Sequence, residues 1–520
     1  MTQNTGDVQP PTKADLFREA RELITSNAQV YINRLAEAVA IQSVSTDLSK
    51  RNACFQMADL LNQWIEDLGG KSEKVLVGFQ ELDDGQRFDL PPVILAEFKE
   101  EGKEKPTVLV YGHYDVQPAN KADGWSSDPF TLTEKNEMLY GRGSTDDKGP
   151  ILAWLWAIEV YREMELELPV NIKFCLEGME ESNSECLADL LHRESRSDGF
   201  LVGVNYIVIT DNYWITTNRP CLTYGTRGVA SFECEVRGGS QALHSGVYGG
   251  CIAEPMTDLI QLLAAVSNGG HGNIDISGCR KEDCEPLDDD EKDLYEGISF
   301  DTDQFRKEAG NVPSLVGDTA TEVLMNRWRY PSLSFHGIEG AYSGHGLKTI
   351  IPGSVIGKFS MRLVPGQDSK KVEEEVEKVL RERFSQLKSS NELRITSSSS
   401  EAWLANPKSP LYQAGASALL KVHGIRPDFT REGGSIPITG TLQKILKVET
   451  MLLPLGASDD GAHSENEKIG KKNYIQAVHT LFVLLEEIDR IHQTMGKQNV
   501  SQPRKKGALG RLKDIWYGLS

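Results

Sequence analysis

The sequence has no long hydrophobic run. Of its 520 residues 39% are hydrophobic, and no segment reaches the roughly 20 consecutive apolar residues that a bilayer span requires. The amino terminus also lacks a basic stretch followed by an apolar core, so no secretory signal is predicted. We therefore expect a protein that neither crosses a membrane nor enters the secretory route, and we place it in the cytoplasm.

Positive charge and paired cysteines are also scarce. Lys and Arg together number 56 against 76 Asp and Glu, which gives a net charge of −20. Such a balance disfavours binding to the phosphate backbone of nucleic acids. The eight cysteines show no CxxC or zinc-ribbon spacing, so free thiols are expected rather than disulfides or a cysteine-bound metal.

Short apolar runs rich in β-branched residues predict the strands of a mostly parallel sheet, buried on both faces. Helical patterns at 16–39 and 150–164 accompany them, so the fold class is α/β with helices flanking the sheet. The runs that predict strands are 107–111, 170–176, 204–210 and 449–455.

From about residue 225 the pattern changes to elements in the order βαββαβ, which is the order of a ferredoxin-like α+β unit. An acidic stretch at 282–308 is expected to form an irregular excursion within it. The predicted elements are strand 230–236, helix 255–266, strands 332–338 and 354–364, helix 371–387 and an edge strand at LRITS.

These patterns divide the chain into a large discontinuous domain and a smaller domain inserted within it. The sequence before the first helix is polar and contains two prolines, and the sequence after Met495 is basic. Both ends are therefore expected to be extensions outside the folded domains. The predicted boundaries are 1–20 for a flexible arm, 21–224 and 402–495 for the large domain, 225–401 for the insertion, and 496–520 for the basic tail.

Residues that can bind metal ions follow the predicted strands. In an open α/β sheet, ligands bind beyond the carboxyl ends of the strands, so these positions are expected to converge. Taken alone, a His after a strand is more often a structural residue. Two His and several carboxylates at one edge of a buried sheet instead predict a metal site, and mixed imidazole and carboxylate ligands suit Zn²⁺ or Mn²⁺. The candidates are His113, Asp115, Asp146, Glu180, Glu181, Asp211 and His463.

The motifs GHYDVQP, YGRGSTDDKG, EGMEES, TDNYW and DDGAHSE resemble those of the dizinc metallopeptidases, which include carnosinases, aminoacylases and glutamate carboxypeptidases. Three further segments, LHSGVYGG, PSLSFHGIEGAYSG and TREGGSIP, are most similar to the cytosolic nonspecific dipeptidases of that family. The resemblance implies a catalytic large domain, a lid and dimerisation role for the insertion, and hydrolysis of small dipeptides with a free amino terminus.

The resemblance also implies a role for each residue near two divalent ions. His113 and Asp211 would bind one ion, Glu181 and His463 the other, and Asp146 would bridge both. Asp115, two residues after His113 in an extended segment, would orient the imidazole. Glu180 would accept a proton from a metal-activated water and later deliver it to the leaving amine. A cis peptide between Asp146 and Asp147 is a further family feature.

Substrate contacts are implied in both domains. His244 is similar to a family residue that reaches across a homodimer to the oxyanion, and it counts as both catalytic and substrate-binding. Thr349 and Arg362 are similar to the residues that hold the substrate carboxylate, for which a guanidinium fork is suited. Glu432 and Ser435 are similar to further contact positions, and Glu432 would meet a free amino group.

Alternative functions are open to the same sequence. An aminoacylase acting on N-acyl amino acids would share the metal motifs. An inactive scaffold or binding protein would keep the fold, although every metal and base position is present here. A nucleotide enzyme is disfavoured because YGRGSTDDKG lacks the GxGxxG spacing, and no GxxxxGK[ST] loop follows a strand.

Overall fold

The computed structural model of the protein describes residues 12–82, 84–100, 104–267, 269 and 272–501. Most of the predicted arm and of the predicted basic tail therefore lie outside the described residues. Within those ranges, none of the helices combines the length and the apolar character needed to cross a bilayer.

Fourteen α-helices are present in the described ranges. Numbered in chain order, they are α1 Lys13–Ser26, α2 Ala28–Ala40, α3 Arg51–Asp67, α4 Lys148–Glu163, α5 Leu187–Glu194, α6 Ser245–Tyr248, α7 Pro255–Ala265, α8 Asp289–Gly297, α9 Thr302–Glu308, α10 Ala320–Trp328, α11 Ser369–Leu387, α12 Pro410–His423, α13 Pro437–Leu446 and α14 Lys471–Ser501.

Twenty strands accompany the helices in the same ranges. They are β1 Lys71–Val75, β2 Phe79–Glu81, β3 Arg87–Asp89, β4 Val93–Phe98, β5 Thr107–His113, β6 Thr133–Lys135, β7 Met138–Tyr140, β8 Asn171–Glu177, β9 Tyr206–Ile209, β10 Cys221–Thr226, β11 Gly228–Arg237, β12 Leu243–His244, β13 Ser332–Glu339, β14 Ile350–Ile351, β15 Ser354–Leu363, β16 Glu392–Ser400, β17 Trp403–Leu404, β18 Asp428–Glu432, β19 Glu449–Leu452 and β20 Lys468–Gly470.

The large sheet has nine strands in the order β1-β4-β8-β5-β9-β19-β10-β17, with β18 beside β10. Its centre, β8-β5-β9-β19, is parallel, as the apolar runs predicted. The prediction of a mostly parallel sheet is nevertheless wrong, because β1, β4, β10 and β17 join by antiparallel pairing and make the sheet mixed. The direction of a strand is set by the strand it pairs with, and the sequences of these four carry no sign of it.

Helices cover both faces of the large sheet. All seven residues of β5 are buried, which explains its continuous apolar sequence. On one face α4 packs between the sheet and α14, and its Trp154 and Trp156 are almost fully buried. On the other face α5 and α13 cover a separate cluster of aliphatic side chains. Burying each large side chain contributes about 1.5–3 kcal/mol to folding stability. The sheet that carries the site at its edge is therefore stabilised by packing on both faces.

A second sheet, in the order β13-β15-β11-β16, is antiparallel throughout. We call residues 228–400 the small-sheet segment. Its connections, β11-α7-β13-β15-α11-β16, follow the predicted βαββαβ order. Buried and exposed residues alternate along β15, and the buried ones form a core with α7 and α11. Its first and last strands pair with each other, Val229 opposite Ser400, so the segment enters and leaves the large sheet side by side.

Two local predictions need correction. The 282–308 stretch is not irregular, because it contains α8 and α9, and α10 follows it; Asp288, Asp301 and Thr319 cap the three helices by accepting hydrogen bonds from their first turns. Acidic and hydroxyl residues that suggest a solvated loop are also the preferred N-cap residues. The helix predicted at 16–39 is two helices, α1 and α2, separated by Asn27.

Candidate metal centre and active site

The candidate ligands come together because of the order of the central strands. His113 is the last residue of β5, Glu180 and Glu181 form a short 3-10 helix after β8, and Asp211 follows β9. Since β8, β5, β9 and β19 are parallel neighbours, their carboxyl ends share one edge of the sheet. His463 reaches the same edge from the loop between β19 and β20.

The ligand atoms form two groups that share one residue. The first ligand group is His113, Asp146 and Asp211, and the second ligand group is Asp146, Glu181 and His463; within each group the atoms lie within 4.8 Å of one another. One Asp146 oxygen, Oδ1, is 3.0 Å from His113 Nε2, and the other, Oδ2, is 3.2 Å from His463 Nε2. The two oxygens of Asp146 therefore face different groups.

The loop before α4 fixes Asp146. The peptide between Asp146 and Asp147 is cis. The buried carboxylate of Glu467 accepts hydrogen bonds from the backbone N–H groups of Gly143, Thr145 and Asp146 at 3.0 to 3.2 Å, and Arg142 Nη1 donates to it at 2.8 Å. Charge-assisted hydrogen bonds of this kind hold a loop in one conformation.

Asp115 connects the first imidazole to the 3-10 helix. Its Oδ1 lies 3.4 Å from His113 Nδ1, and its carboxylate accepts the backbone N–H groups of Glu180 at 3.2 Å and Glu181 at 3.1 Å. Ser45 Oγ donates a further hydrogen bond at 2.6 Å. One fully buried carboxylate thus orients a ligand imidazole and the backbone that carries two candidate carboxylates.

The electrostatics of the edge fit a cation. Burial raises the pKa of Glu180 well above its usual value, and Asp211 and Glu181 raise it further. Burial and the Asp146 charge raise the pKa of Asp211 to about 7. Hydrogen bonds to Asp146 and Glu181 raise the pKa of His463 to about 10. The crowded carboxylates repel one another, and divalent cations would ionise them and leave the imidazoles neutral. This donor set, rich in oxygen and imidazole, fits Zn²⁺ or Mn²⁺.

A cavity of about 560 Å³ opens beside the ligand groups. Asp146, Glu180, Asp211 and His463 line its floor, and Glu432 and Ser435 line a wall. Arg362 does not line the cavity itself, but its Nη1 donates to Ser435 Oγ at 2.9 Å. Of the residues predicted to contact substrate, Glu432 and Ser435 therefore line the cavity and Arg362 lies directly behind Ser435. The cavity has space for a dipeptide-sized molecule.

His244 and Thr349 lie elsewhere on the chain. His244 ends β12, whose partner strand β14 directly follows Thr349. Both residues are exposed, and neither lines the cavity. The Nδ1 atom of His244 accepts a hydrogen bond from the backbone of Gly246 at 3.0 Å, which leaves Nε2 free of hydrogen bonds in the described part of the chain. A single chain thus does not unite these two residues with the ligand groups.

Sequence reasoning missed several residues of the site. Glu467 follows the DDGAHSE motif, but its partners are more than 300 positions away, so spacing gives no signal. Asp147 accepts a hydrogen bond from the backbone of His113 at 3.2 Å through its Oδ2, and only its place beside Asp146 hinted at a role. Phe305 of the cavity wall belongs to the 282–308 stretch that was expected to be irregular, and Arg327 and Trp328 lie on α10, where no element was predicted.

The mixed α/β sheet, with two groups of His and carboxylate ligands sharing Asp146 at its edge, defines a metallohydrolase. Residues 109–487 match the model of peptidase family M20/M25/M40, and the chain belongs to this family. It is 42% identical over 469 residues to the Cys-Gly metallodipeptidase dug1 of Schizosaccharomyces pombe, covering 90% of this chain and 97% of that protein.

Solved structures agree with this assignment. Human carnosine dipeptidase 1 superimposes with a TM-score of 0.82 and 42% identity, covering 92% of this chain and all of that chain. The di-peptidase Dug1p from Saccharomyces cerevisiae gives a TM-score of 0.83 and 40% identity over 91% of this chain and 98% of that one. The resemblance found in the sequence motifs is confirmed.

Proposed function

We propose that the protein is a cytoplasmic dipeptidase that uses two divalent ions, Zn²⁺ or Mn²⁺, to hydrolyse the peptide bond of dipeptides with a free amino terminus. The observation that carries this proposal is the position of Asp146, whose two carboxylate oxygens face one ligand group each. The metallodipeptidases among its relatives, which act on Cys-Gly or carry the name carnosine dipeptidase, support a dipeptide substrate.

In this proposal His113 and Asp211 would hold one ion, Glu181 and His463 would hold the other, and Asp146 would contribute to both. Bound divalent ions supply positive charge that polarises the scissile carbonyl and makes water a stronger acid at neutral pH. The short distances between ligand atoms support this assignment. Asp115 keeps the imidazole of His113 oriented through the contact with Nδ1.

Glu180 moves the proton. It takes a proton from the attacking water at one carboxylate oxygen and delivers it to the nitrogen of the leaving amine when the C–N bond breaks. Glu180 lines the cavity floor beside the two ligand groups, which is the position that this role requires. Asp115 positions the base by accepting the backbone N–H of Glu180.

The cavity wall binds the two ends of the dipeptide. Glu432 accepts the free amino group, and Arg362, beside Ser435, donates to the carboxylate. His244 and Thr349 complete the site from a partner subunit, because both are exposed on the small-sheet segment and lie away from the cavity of their own chain. Large apolar side chains exposed on the same segment, including Tyr248, Phe335 and Leu347, support its use as a homodimer interface.

In this scheme 21–224 and 402–495 form the catalytic domain and 225–401 forms the lid and dimerisation domain. Two observations support the division. The small-sheet segment has its own core, and its two connections to the large sheet lie beside each other. The helix α14 continues past residue 495 to Ser501, so the basic tail would begin no earlier than the end of that helix.

A dipeptide panel tests the proposal. Purified protein is stripped of metal, reloaded with Mn²⁺ or Zn²⁺, and assayed with Ala-Gly and Cys-Gly beside their N-acetylated forms. We expect chelator-sensitive release of free amino acids from the unblocked dipeptides alone, because Glu432 requires a positively charged amino group. Faster cleavage of the acetylated forms would make the protein an aminoacylase, and no turnover with either metal would favour a binding or scaffold role.

A further inference from the structure

The stretch from α9 to α10 contributes a cation to the cavity wall. Arg327 lies on α10 and lines the cavity together with Phe305 of α9. Its guanidinium carbon lies 5.3 Å from the centre of the Phe305 ring, and its Nη2 lies 3.7 Å from Glu432 Oε1. The backbone of α10 approaches closely because residue 433 is glycine: a Cβ there would be 3.0 Å from the carbonyl oxygen of Arg327.

Arg327 differs from the other arginines around the cavity. Arg431 forms an ion pair with Glu291, and Arg362 donates to Ser435 Oγ. The side chain of Arg327 forms no hydrogen bond with any described residue, since its 3.7 Å ion-pair contact with Glu432 exceeds hydrogen-bond distance. Glu432 Oε1 already accepts the backbone N–H groups of Gly433 at 2.6 Å and Gly434 at 3.1 Å. The donors of Arg327 therefore remain available to a ligand.

We propose that Arg327 and Phe305 form a subsite for the side chain of the substrate's first residue, and that this subsite selects a carboxylate side chain. The inference rests on the proposed dipeptidase function, because it takes Glu432 as the group that holds the amino terminus. With the amino group at Glu432, the first side chain starts within reach of Arg327. Arginine offers paired N–H donors that match a carboxylate.

Charge around the subsite favours the same substrate. Glu308 also lines the cavity, but it is exposed and accepts a hydrogen bond from Gln304 Nε2 at 3.0 Å, so solvent screens its charge. The side chain of Arg327 is two-thirds buried, so solvent screens its positive charge less than it screens the negative charge of Glu308. A lysine side chain at the first position would meet this guanidinium and be disfavoured, whereas the chain of a glutamate can lie along the Phe305 ring.

The test compares Glu-Gly, Ala-Gly and Lys-Gly as substrates of the metal-loaded enzyme and of Arg327→Ala. We expect kcat/KM for Glu-Gly to fall about 10-fold or more in the variant, Ala-Gly to change less than about 3-fold, and Lys-Gly to improve. Arg327→Lys should restore part of the Glu-Gly activity. Lys307→Ala is the matched control, since it removes one positive charge from exposed α9 outside the cavity.

If Arg327→Ala lowered kcat/KM equally for the three substrates, or for none of them, the proposed subsite would be overturned. A binding measurement separates this result from failure of the proposed function: calorimetry of L-glutamate and L-alanine on the Mn²⁺-loaded protein needs no turnover. The subsite predicts that Arg327→Ala removes the preference for glutamate, even if no dipeptide is cleaved. Identical glutamate binding by the native protein and the variant would contradict the subsite on its own.

Discussion

At the scale of single residues, the carboxylate proposed to transfer the proton is distinct from the carboxylates that hold the site in position. Glu180 faces the cavity, whereas Asp115 and Glu467 are buried behind the ligands and contact the backbone that carries them. Asp115 and Glu467 do not line the cavity, so they would not touch substrate. Substitution of the two kinds of carboxylate should therefore affect different measurable quantities.

Glu180→Gln should keep both ions and lose turnover. The amide has the same size but cannot accept the proton of the attacking water, so we expect kcat to fall roughly 10²–10⁴-fold. Metal analysis of the purified protein would show unchanged stoichiometry. Glu185→Gln, an exposed acid in the same loop, is the control and should behave like the native protein. Near-normal turnover by Glu180→Gln would show that another group is the base.

Glu467→Gln should instead weaken metal binding. Its amide keeps one acceptor oxygen but loses the charge that meets Arg142 and three backbone N–H groups, so the Asp146 loop becomes less ordered. We expect a roughly 10- to 100-fold loss of affinity, the range found for groups behind metal ligands. Titration with a competing chelator measures it. Glu465→Gln, exposed two positions earlier, should leave the affinity unchanged, and equal affinities in both variants would refute this role.

At the scale of elements, α12 and α14 pack against each other, and each carries a histidine. His479 lies on α14, with Nε2 3.1 Å from the carbonyl oxygen of Phe17. His423 ends α12, with its ring edge-on to Trp214 at 5.4 Å. Burial lowers the pKa of each imidazole to about 4. Neither histidine lines the cavity, although Trp214, which His423 contacts, does. The effect of this pair is therefore expected in stability rather than in turnover.

The helix pair should lose stability in mild acid. An imidazole with a folded-state pKa of about 4 and an unfolded value of about 6.5 is neutral in both states above pH 6.5. As the pH falls towards 4 the unfolded chain binds the proton first, so each histidine can remove up to about 3 kcal/mol of unfolding free energy. Denaturant unfolding at pH 7.5 and 5 measures this. The double variant His423→Gln, His479→Gln should lose less stability between these pH values than the native protein; equal losses would contradict the assignment.

Elements with a strong local sequence pattern could be predicted, and features that depend on distant partners in the chain could not. β5 and β8 are buried on both faces, so their sequences are continuously apolar and their positions were predicted within one or two residues. The direction of β10 depends on its pairing with β19 more than 200 residues away, which no local pattern contains. For the site, the residues after the strands could be predicted, whereas Arg327 could not, because only the packing of α10 brings it to the cavity.

At the scale of the whole molecule, the proposed active site needs two chains. The reason is that His244 and Thr349 are exposed and lie away from the cavity of their own chain. The requirement can be tested by mixing two inactive variants. His244→Ala and Glu180→Gln subunits should each be inactive alone. After the two are mixed and allowed to exchange, each mixed dimer has one native site, which gives about a quarter of native activity for random pairing of a twofold dimer. No recovery, despite mixed dimers detected by native mass spectrometry, would place each site within one chain.

The molecule also has separate cores, one set around the large sheet and one in the small-sheet segment. All five proposed metal ligands belong to the large sheet and its loops. Removal of the ions should therefore lower the melting temperature of the large-sheet unit by several degrees, because a ligand at 100 times its Kd stabilises by about 2.7 kcal/mol. Calorimetry with and without chelator should show that the unfolding transition of the small-sheet segment stays at the same temperature. A single transition that shifts as a whole would show that the two units unfold together.

The place of β19 beside β9 has a consequence for synthesis on the ribosome. The chain emerges from its amino end, so β9 is made long before β19, and until then one of its edges has unpaired backbone groups that can attract other strands. The small-sheet segment, by contrast, can complete its own sheet once residue 400 has emerged. His463 follows later still, so the second ligand group cannot form until the chain has been made past residue 463. Complete metal loading is therefore a late event, which requires every residue from His113 to His463 to have left the ribosome.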